Sequence, residues 1–222
     1  MTRLLMLVEG QSEEIFVKRV LTPHLASYGV HVAHPVVLWT KRLPAGSGFR
    51  GGAVGWQQIL GDLRRLLRDS DAWVTTRLDY YGLPKGFPGQ QAAQGAGSAQ
   101  QKVARLEASF AQAINHQRFI PFLALHEFEA WLFSDPETVA DYFGQAKLAN
   151  RLHAIRSRAG GPELINDGQT THPKARLSAL IADYKETSDG PTLLHRIGIA
   201  AIRAACPHFD AWLKRLESLG KP

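Results

Sequence analysis

Runs of apolar residues alternate with amphipathic stretches through the first 125 positions of the chain. The continuous apolar runs predict buried strands at residues 4–8, 30–39, 72–78 and 119–125. The stretches between them have helical periodicity, and they predict helices that begin near Ser12 and that cover residues 56–68 and 101–114. Strands that alternate with helices favour an α/β fold with a mostly parallel sheet flanked by helices.

The remainder of the chain has the pattern of a mainly helical region. Predicted helices cover residues 131–143, 148–158, 173–184 and 209–219. We therefore expect an α/β core at residues 1–135 and a helical C-terminal elaboration at 136–222, packed on the core or merged with it in a single domain. Residues 41–55 and 81–98 are rich in glycine, and we expect both to form long loops outside the packed core.

Length and composition restrict the class of protein. The 222 residues are 45% hydrophobic and 21% charged, which is enough apolar material for a folded core. The single cysteine, Cys206, lies among apolar residues, so we expect a buried, inert thiol. The first apolar run is too short for a signal peptide or a membrane span. These features predict a cytoplasmic protein without a membrane partner; its oligomeric state stays open.

Carboxylates follow three of the predicted strands. Glu9 ends the first, Asp79 ends the third, and Glu127 and Glu129 follow the fourth. Because the carboxyl ends of parallel strands meet at one edge of a sheet, these acids should converge there. Oxygen ligands alone favour Mg²⁺ or Mn²⁺ over zinc. The alternative is that each acid caps a helix or pairs with an arginine.

The net charge of +6 permits a polyanionic partner without requiring one. Basic residues are concentrated in residues 41–68, and a second group lies near position 175. The predicted nucleic-acid contacts are Lys41, Arg42, Arg50, Lys174 and Arg176. Lys174 and Arg176 stand at the start of a predicted helix, where phosphate binds well. Ordinary solvated surfaces are the alternative for both groups.

Several segments resemble a known family. Residues 7–16 (LVEGQSEEIF) look like the opening of a TOPRIM domain, in which a glutamate follows the first strand. The segments EGQSE, DYYGLP, HEFEAWLF, PKAR and CPHFDAWL together resemble a bacterial family of uncharacterised proteins in the TOPRIM-like group, domain of unknown function family 4276. The resemblance spans nearly the whole chain, and it implies a TOPRIM-like sheet with a helical C-terminal elaboration.

The resemblance also implies a function. In TOPRIM enzymes the glutamate acts as general acid or base and an Asp-x-Asp pair binds Mg²⁺ for phosphodiester cleavage or transfer. Glu9 and Asp79 match the glutamate and the first aspartate, whereas Tyr81 stands in place of the second. Glu127 or Glu129 could supply the missing carboxylate. The expectation is a metal-dependent nuclease acting on DNA or RNA, with Glu9, Asp79 and Glu127 as its catalytic residues.

Two other functions are compatible with the sequence. A non-catalytic TOPRIM-like module could bind nucleic acid or a partner ATPase, and family analogy suggests phage defence as its context. The departure at Tyr81 favours this alternative. A phosphatase or nucleotidyl hydrolase could use the same metal on mononucleotides.

Overall fold

A parallel sheet with helices on both faces forms the centre of the molecule, as the alternating pattern predicts. We describe it from a computed structural model that covers residues 1–38, 55–165, 168 and 170–220. The strands are β1 (Thr2–Val8), β2 (Val30–Val32), β3 (Val36–Val37), β4 (Ala72–Asp79), β5 (Phe119–Ile120) and β6 (Leu123–Ala124). The sheet order is β2-β1-β4-β5, with β3 also paired to β1 and β6 also paired to β4, and all pairs are parallel.

Prolines divide two of the predicted strands. The strand predicted at 30–39 forms β2 and β3 on either side of Pro35, with residue 39 outside the described chain. The strand predicted at 119–125 forms β5 and β6 on either side of Pro121. Proline has no N–H to donate to a neighbouring strand, so the ladder stops and resumes at each site.

Most predicted helices are present. They are α1 (Gln11–Phe16), α2 (Thr22–Ala26), α3 (Trp56–Leu66), α4 (Gln90–Gln94), α5 (Ala99–Ile114), α6 (Pro136–Tyr142), α7 (Ala146–Ala159), α8 (Pro173–Leu180), α9 (Asp189–Ala205) and α10 (Pro207–Ser218). A π-helical turn, Val17–Leu21, joins α1 to α2. The N-cap of α1 is Gly10, so the expectation that the first helix begins near Ser12 is off by about one residue.

Three expectations about local structure were wrong in detail. The helix predicted at 131–143 is a 3-10 helix, Phe128–Ser134, followed by α6. Helix α9 was not predicted, because its Gly-Pro start and the non-helical Gly198 interrupt the apolar periodicity. The segment 81–98 is packed rather than a simple loop: it contains α4, and Phe87 is buried against Phe110 with ring centroids 4.9 Å apart.

Two apolar cores lie on the opposite faces of the sheet. Leu4 and Met6 of β1 point into one core, which also contains buried side chains of α9 and α10. Leu7 points into the other core, with Val74 of β4 and residues of α3 and α5. Cys206 is buried in the first core, as expected from its apolar neighbours. The described residues include no helix with the length and apolarity needed to cross a membrane.

Candidate functional site

Two carboxylates meet where β1 and β4 end. The parallel register pairs Val8 with Arg77, so Glu9 and Asp79 leave the sheet at the same edge. The backbone N–H of Asp79 donates a hydrogen bond of 2.9 Å to Glu9 Oε2. The structure therefore brings these two predicted site residues together.

A buried arginine lies beneath the carboxylates. The Arg77 side chain has no solvent exposure, and its Nη1 is 2.9 Å from Glu13 Oε1 and 2.7 Å from Asp79 Oδ1. Among the described residues Asp79 Oδ1 has no hydrogen-bond partner, so its contact with Arg77 is an ion pair with poor hydrogen-bond alignment. The guanidinium carbon lies 5.1 Å from the ring centre of Phe128 and 4.9 Å from that of Trp131.

Sequence reasoning missed Arg77 and the role of Glu13. The sequence did contain a signal for Arg77: a single arginine near the end of a strand that is otherwise predicted to be buried needs a partner inside the protein. The identity of that partner depends on the fold, because Glu13 is 64 positions away in the chain.

The carboxylates of this centre are hard to ionise. Burial is the largest cause that raises the pKa of Glu9, and the N–H of Asp79 opposes it. Burial also raises the pKa of Asp79 well above its usual range, although Arg77 acts in the opposite direction and Glu9 adds repulsion. Carboxyls in such a setting bind a proton more readily than exposed ones, and an approaching cation favours their ionised form.

Glu129 lies near the same centre but has its own partner. Its side chain is 2% exposed and accepts a hydrogen bond of 3.2 Å from the Tyr184 hydroxyl. Burial, followed by repulsion from Glu186 and Glu127, raises the pKa of Glu129 to about 8. Repulsion from Glu129 in turn contributes to the raised pKa of Asp79, so the two carboxyls are electrostatic neighbours.

Glu127 is bound to a different element. Its Oε1 lies 2.9 Å from His172 Nδ1 and accepts the backbone N–H of Lys174 at the start of α8. The Glu127 carboxylate thus occupies the helix N-terminus that we expected to bind phosphate. Sequence reasoning placed Glu127 at the strand ends and did not foresee its contact with His172.

The predicted basic contacts are only partly described. Lys41, Arg42 and Arg50 lie outside the described residues. The Lys174 ammonium pairs with Glu186, and Arg176 Nε donates to the backbone carbonyl of Thr171 at 2.6 Å. Both described cations therefore have contacts within the protein.

The rings of Tyr81 and His126 are neighbours, with centroids 5.5 Å apart, and the two residues have buried polar atoms without a partner among the described residues. These atoms are the hydroxyl of Tyr81 and Nδ1 of His126. His126 adopts a positive φ of 66°, which is uncommon for a residue with a side chain. Burial lowers the pKa of His126 to about 4, so the ring is neutral at physiological pH.

The fit of a divalent cation depends on Glu9 and Asp79. Across the described part of the chain, no group of three or more His, Cys, Asp or Glu side chains is arranged to hold a metal ion. Mg²⁺ is nevertheless usually held by one or two carboxylates, with waters and substrate phosphates completing its ligands. A pair of carboxyls with raised pKa values fits such a cation chemically, whereas Glu127 and Glu129 have other partners.

Gly82 leaves room for the Glu9 carboxylate. A Cβ atom at position 82 would lie 2.6 Å from Glu9 Oε1, closer than such atoms approach in proteins. We expect Gly82→Ala to displace Glu9 and to lower the free energy of unfolding by about 1–3 kcal/mol, measured by urea denaturation. Gly61→Ala is the matched control, because nothing lies within 4 Å of its added Cβ and alanine favours the helix. Equal stability of the two variants would contradict the close approach.

The fold and the site together define the class of protein: a parallel α/β protein with a buried carboxylate–arginine centre at the carboxyl ends of its strands. The model of one protein family, described as a domain of unknown function (DUF4276), matches residues 8–217. The chain therefore belongs to this family, as the motifs of the sequence suggested. No curated protein and no solved structure matches the chain.

Proposed function

We propose that the protein is a metal-dependent phosphodiester hydrolase of the TOPRIM type that acts on nucleic acid. The observation that carries the proposal is the meeting of Glu9 and Asp79 at the carboxyl edge of β1 and β4. Ligands of open parallel sheets bind at this edge. The TOPRIM resemblance adds a chemical role for each of the two carboxylates.

Glu9 and Asp79 have distinct tasks in this proposal. Both would hold Mg²⁺ or Mn²⁺, which when bound polarises a phosphoryl oxygen and neutralises developing charge. Glu9 also handles a proton of the nucleophile or of the leaving group, because its raised pKa brings it closer to working pH. Arg77 holds the Asp79 carboxylate in place and favours its charged form.

The test is a cleavage assay. Purified protein is incubated with Mg²⁺ or Mn²⁺ and single- or double-stranded DNA or RNA, and products are resolved on gels. We expect Glu9→Gln and Asp79→Asn to lower the rate at least about 100-fold, the effect of losing proton transfer or cation contact. Asp183→Asn, at an exposed position, is the matched control and should keep the parental rate. Cleavage that persists in both site variants would refute the proposal.

A non-catalytic binding module is the second candidate. It is favoured by Arg77, a protein cation that already lies 2.7 Å from Asp79 Oδ1. Tyr81, which stands where a TOPRIM enzyme has its second aspartate, favours it as well. Such a module would bind nucleic acid or a partner ATPase, and phage defence is the context that family analogy suggests. Nucleic-acid binding without turnover, unchanged by metal and by Asp79→Asn, would select this candidate.

Substrate size separates the main proposal from a mononucleotide hydrolase. The same assay includes mononucleotides and nucleoside triphosphates as substrates. Activity on these alone, with polymers left intact, would assign the carboxylate centre to small substrates.

A further inference from the structure

Helix α7 has a row of basic side chains on one face. Lys147, Arg151 and Arg158 are all exposed, and their spacings of four and seven residues place them along one side of the helix. The helix contains no aspartate or glutamate. We call these three residues the α7 basic stripe.

The stripe lacks the acidic partners that some other exposed cations of the described chain have. Lys18 pairs with Glu14 at 2.5 Å, and Lys214 pairs with Asp210 at 2.7 Å. Within the described residues, no carboxylate lies at ion-pair distance from the stripe. Its charges are therefore available to an external polyanion.

A groove begins where α7 ends. Two adjoining hollows, of about 460 and 380 Å³, share Tyr80 and Lys102. The second hollow is also bordered by Ala159, the last residue of α7 and the neighbour of Arg158 in the chain. Together the hollows form a groove whose remaining polar and aromatic lining includes Tyr81, Gln90, Gln94, Ser98 and His126.

The groove is next to the carboxylate centre. Tyr80 directly follows Asp79, and His126 directly precedes Glu127. The rings of Tyr80 and Tyr81 are nearly parallel, with centroids 6.1 Å apart and 14° between their planes. Flat aromatic faces lie beside Lys102, which has no ion pair within the described residues. They provide what a nucleotide needs, a stacking surface for its base and a positive charge for its phosphate.

We propose that a single strand of nucleic acid crosses the α7 basic stripe and places one base in the groove against Tyr80. The stripe extends for about 16 Å along the helix axis, given a rise of about 1.5 Å per residue, a length that several successive phosphates cover. A duplex cannot fill the groove in this way, because its bases are stacked inside the helix. That the strand continues to a reacting centre rests on the proposed function; its binding to this surface does not.

Binding is measured without divalent cations, so that it is separate from cleavage. A fluorescein-labelled dT20 is titrated with protein in EDTA, and anisotropy is followed at several salt concentrations. We expect Lys147→Glu/Arg151→Glu/Arg158→Glu to weaken binding at least about tenfold and to reduce the slope of log K against log salt by about 2, given about 0.7 per lost phosphate contact. A second variant, Tyr80→Leu, should weaken binding about tenfold while Tyr80→Phe retains it.

The matched control is Arg19→Glu/Lys214→Glu/Arg215→Glu, which makes the same charge change at exposed positions of the π-helical turn and α10. It should bind dT20 within about threefold of the parent, and thermal unfolding verifies that every variant is folded. An equal loss in both triple variants would overturn the assigned path, since net charge alone would then explain binding. Binding of poly-glutamate in preference to dT20, with the same dependence on the stripe, would overturn it in favour of an acidic protein partner. Binding of dT20 along this path without any cleavage would refute only the proposed function.

Discussion

Replacement of Arg77 by methionine should lower the free energy of unfolding by about 3–5 kcal/mol at pH 7. The guanidinium is fully buried and lies against Glu13 and Asp79, so its removal leaves two buried carboxyls without a counter-charge. The loss should be measured by urea denaturation. It should shrink at pH 5, because protonation of Asp79, whose pKa is already raised, removes one of the two uncompensated charges.

Two further variants make the Arg77 prediction specific. Arg64→Met removes an exposed arginine and should change the free energy of unfolding by less than about 0.5 kcal/mol. The double variant Arg77→Met/Asp79→Asn should recover part of the lost free energy of unfolding, because the second substitution removes one uncompensated carboxylate charge. A single Arg77→Met variant as stable as the parent at pH 7 would show that the centre does not depend on this ion pair.

Glu129→Gln should raise the stability of the protein in alkaline solution. The pKa of this buried carboxyl is about 8 in the folded protein and about 4.5 when unfolded. Folding therefore favours the protonated form, and the stability that this provides is fully present below pH 4.5 and is lost as pH rises through about 8. A shift of this size corresponds to an effect on the order of 5 kcal/mol, at about 1.4 kcal/mol per pKa unit.

The measurement compares parent and Glu129→Gln by urea denaturation at pH 5 and pH 8.5. The two proteins should be similar at pH 5, where the glutamine resembles the protonated acid and still accepts the Tyr184 hydroxyl. At pH 8.5 the variant should be the more stable. Glu137→Gln, at an exposed position, should show no such gain. A parent whose stability rises from pH 5 to pH 8.5 relative to the variant would contradict the raised pKa.

Arg77→Met and Glu129→Gln test two different charge states in the same buried centre. Arg77 is the buried cation that makes the ionised centre tolerable, and Glu129 is a carboxyl that folding keeps neutral. Proteins commonly retain such costly arrangements where chemistry or binding requires them. Stability measurements on these variants are independent of whether a substrate has been found.

Much of the fold was available from the local pattern of side chains. Continuous apolar runs located β1 and β4, and amphipathic periodicity located α3, α5 and α7, because burial of one face leaves a period in the sequence. The pattern failed at α9, where glycine and proline interrupt the period. It also failed at 81–98, where the burial of Phe87 depends on a distant helix.

The sequence by itself determined that acids follow the strands, since that is a matter of order along the chain. Parallel pairing of β1 with β4 then places Glu9 and Asp79 at the same edge of the sheet. Only the tertiary structure decided which acids remain available and which are already bound. The Glu127 carboxylate is hydrogen-bonded to His172 and to the start of α8, and Arg77 donates a hydrogen bond to Glu13. Ion pairs and hydrogen bonds act over a few ångströms in space, and no periodicity of the chain records which distant residues come that close.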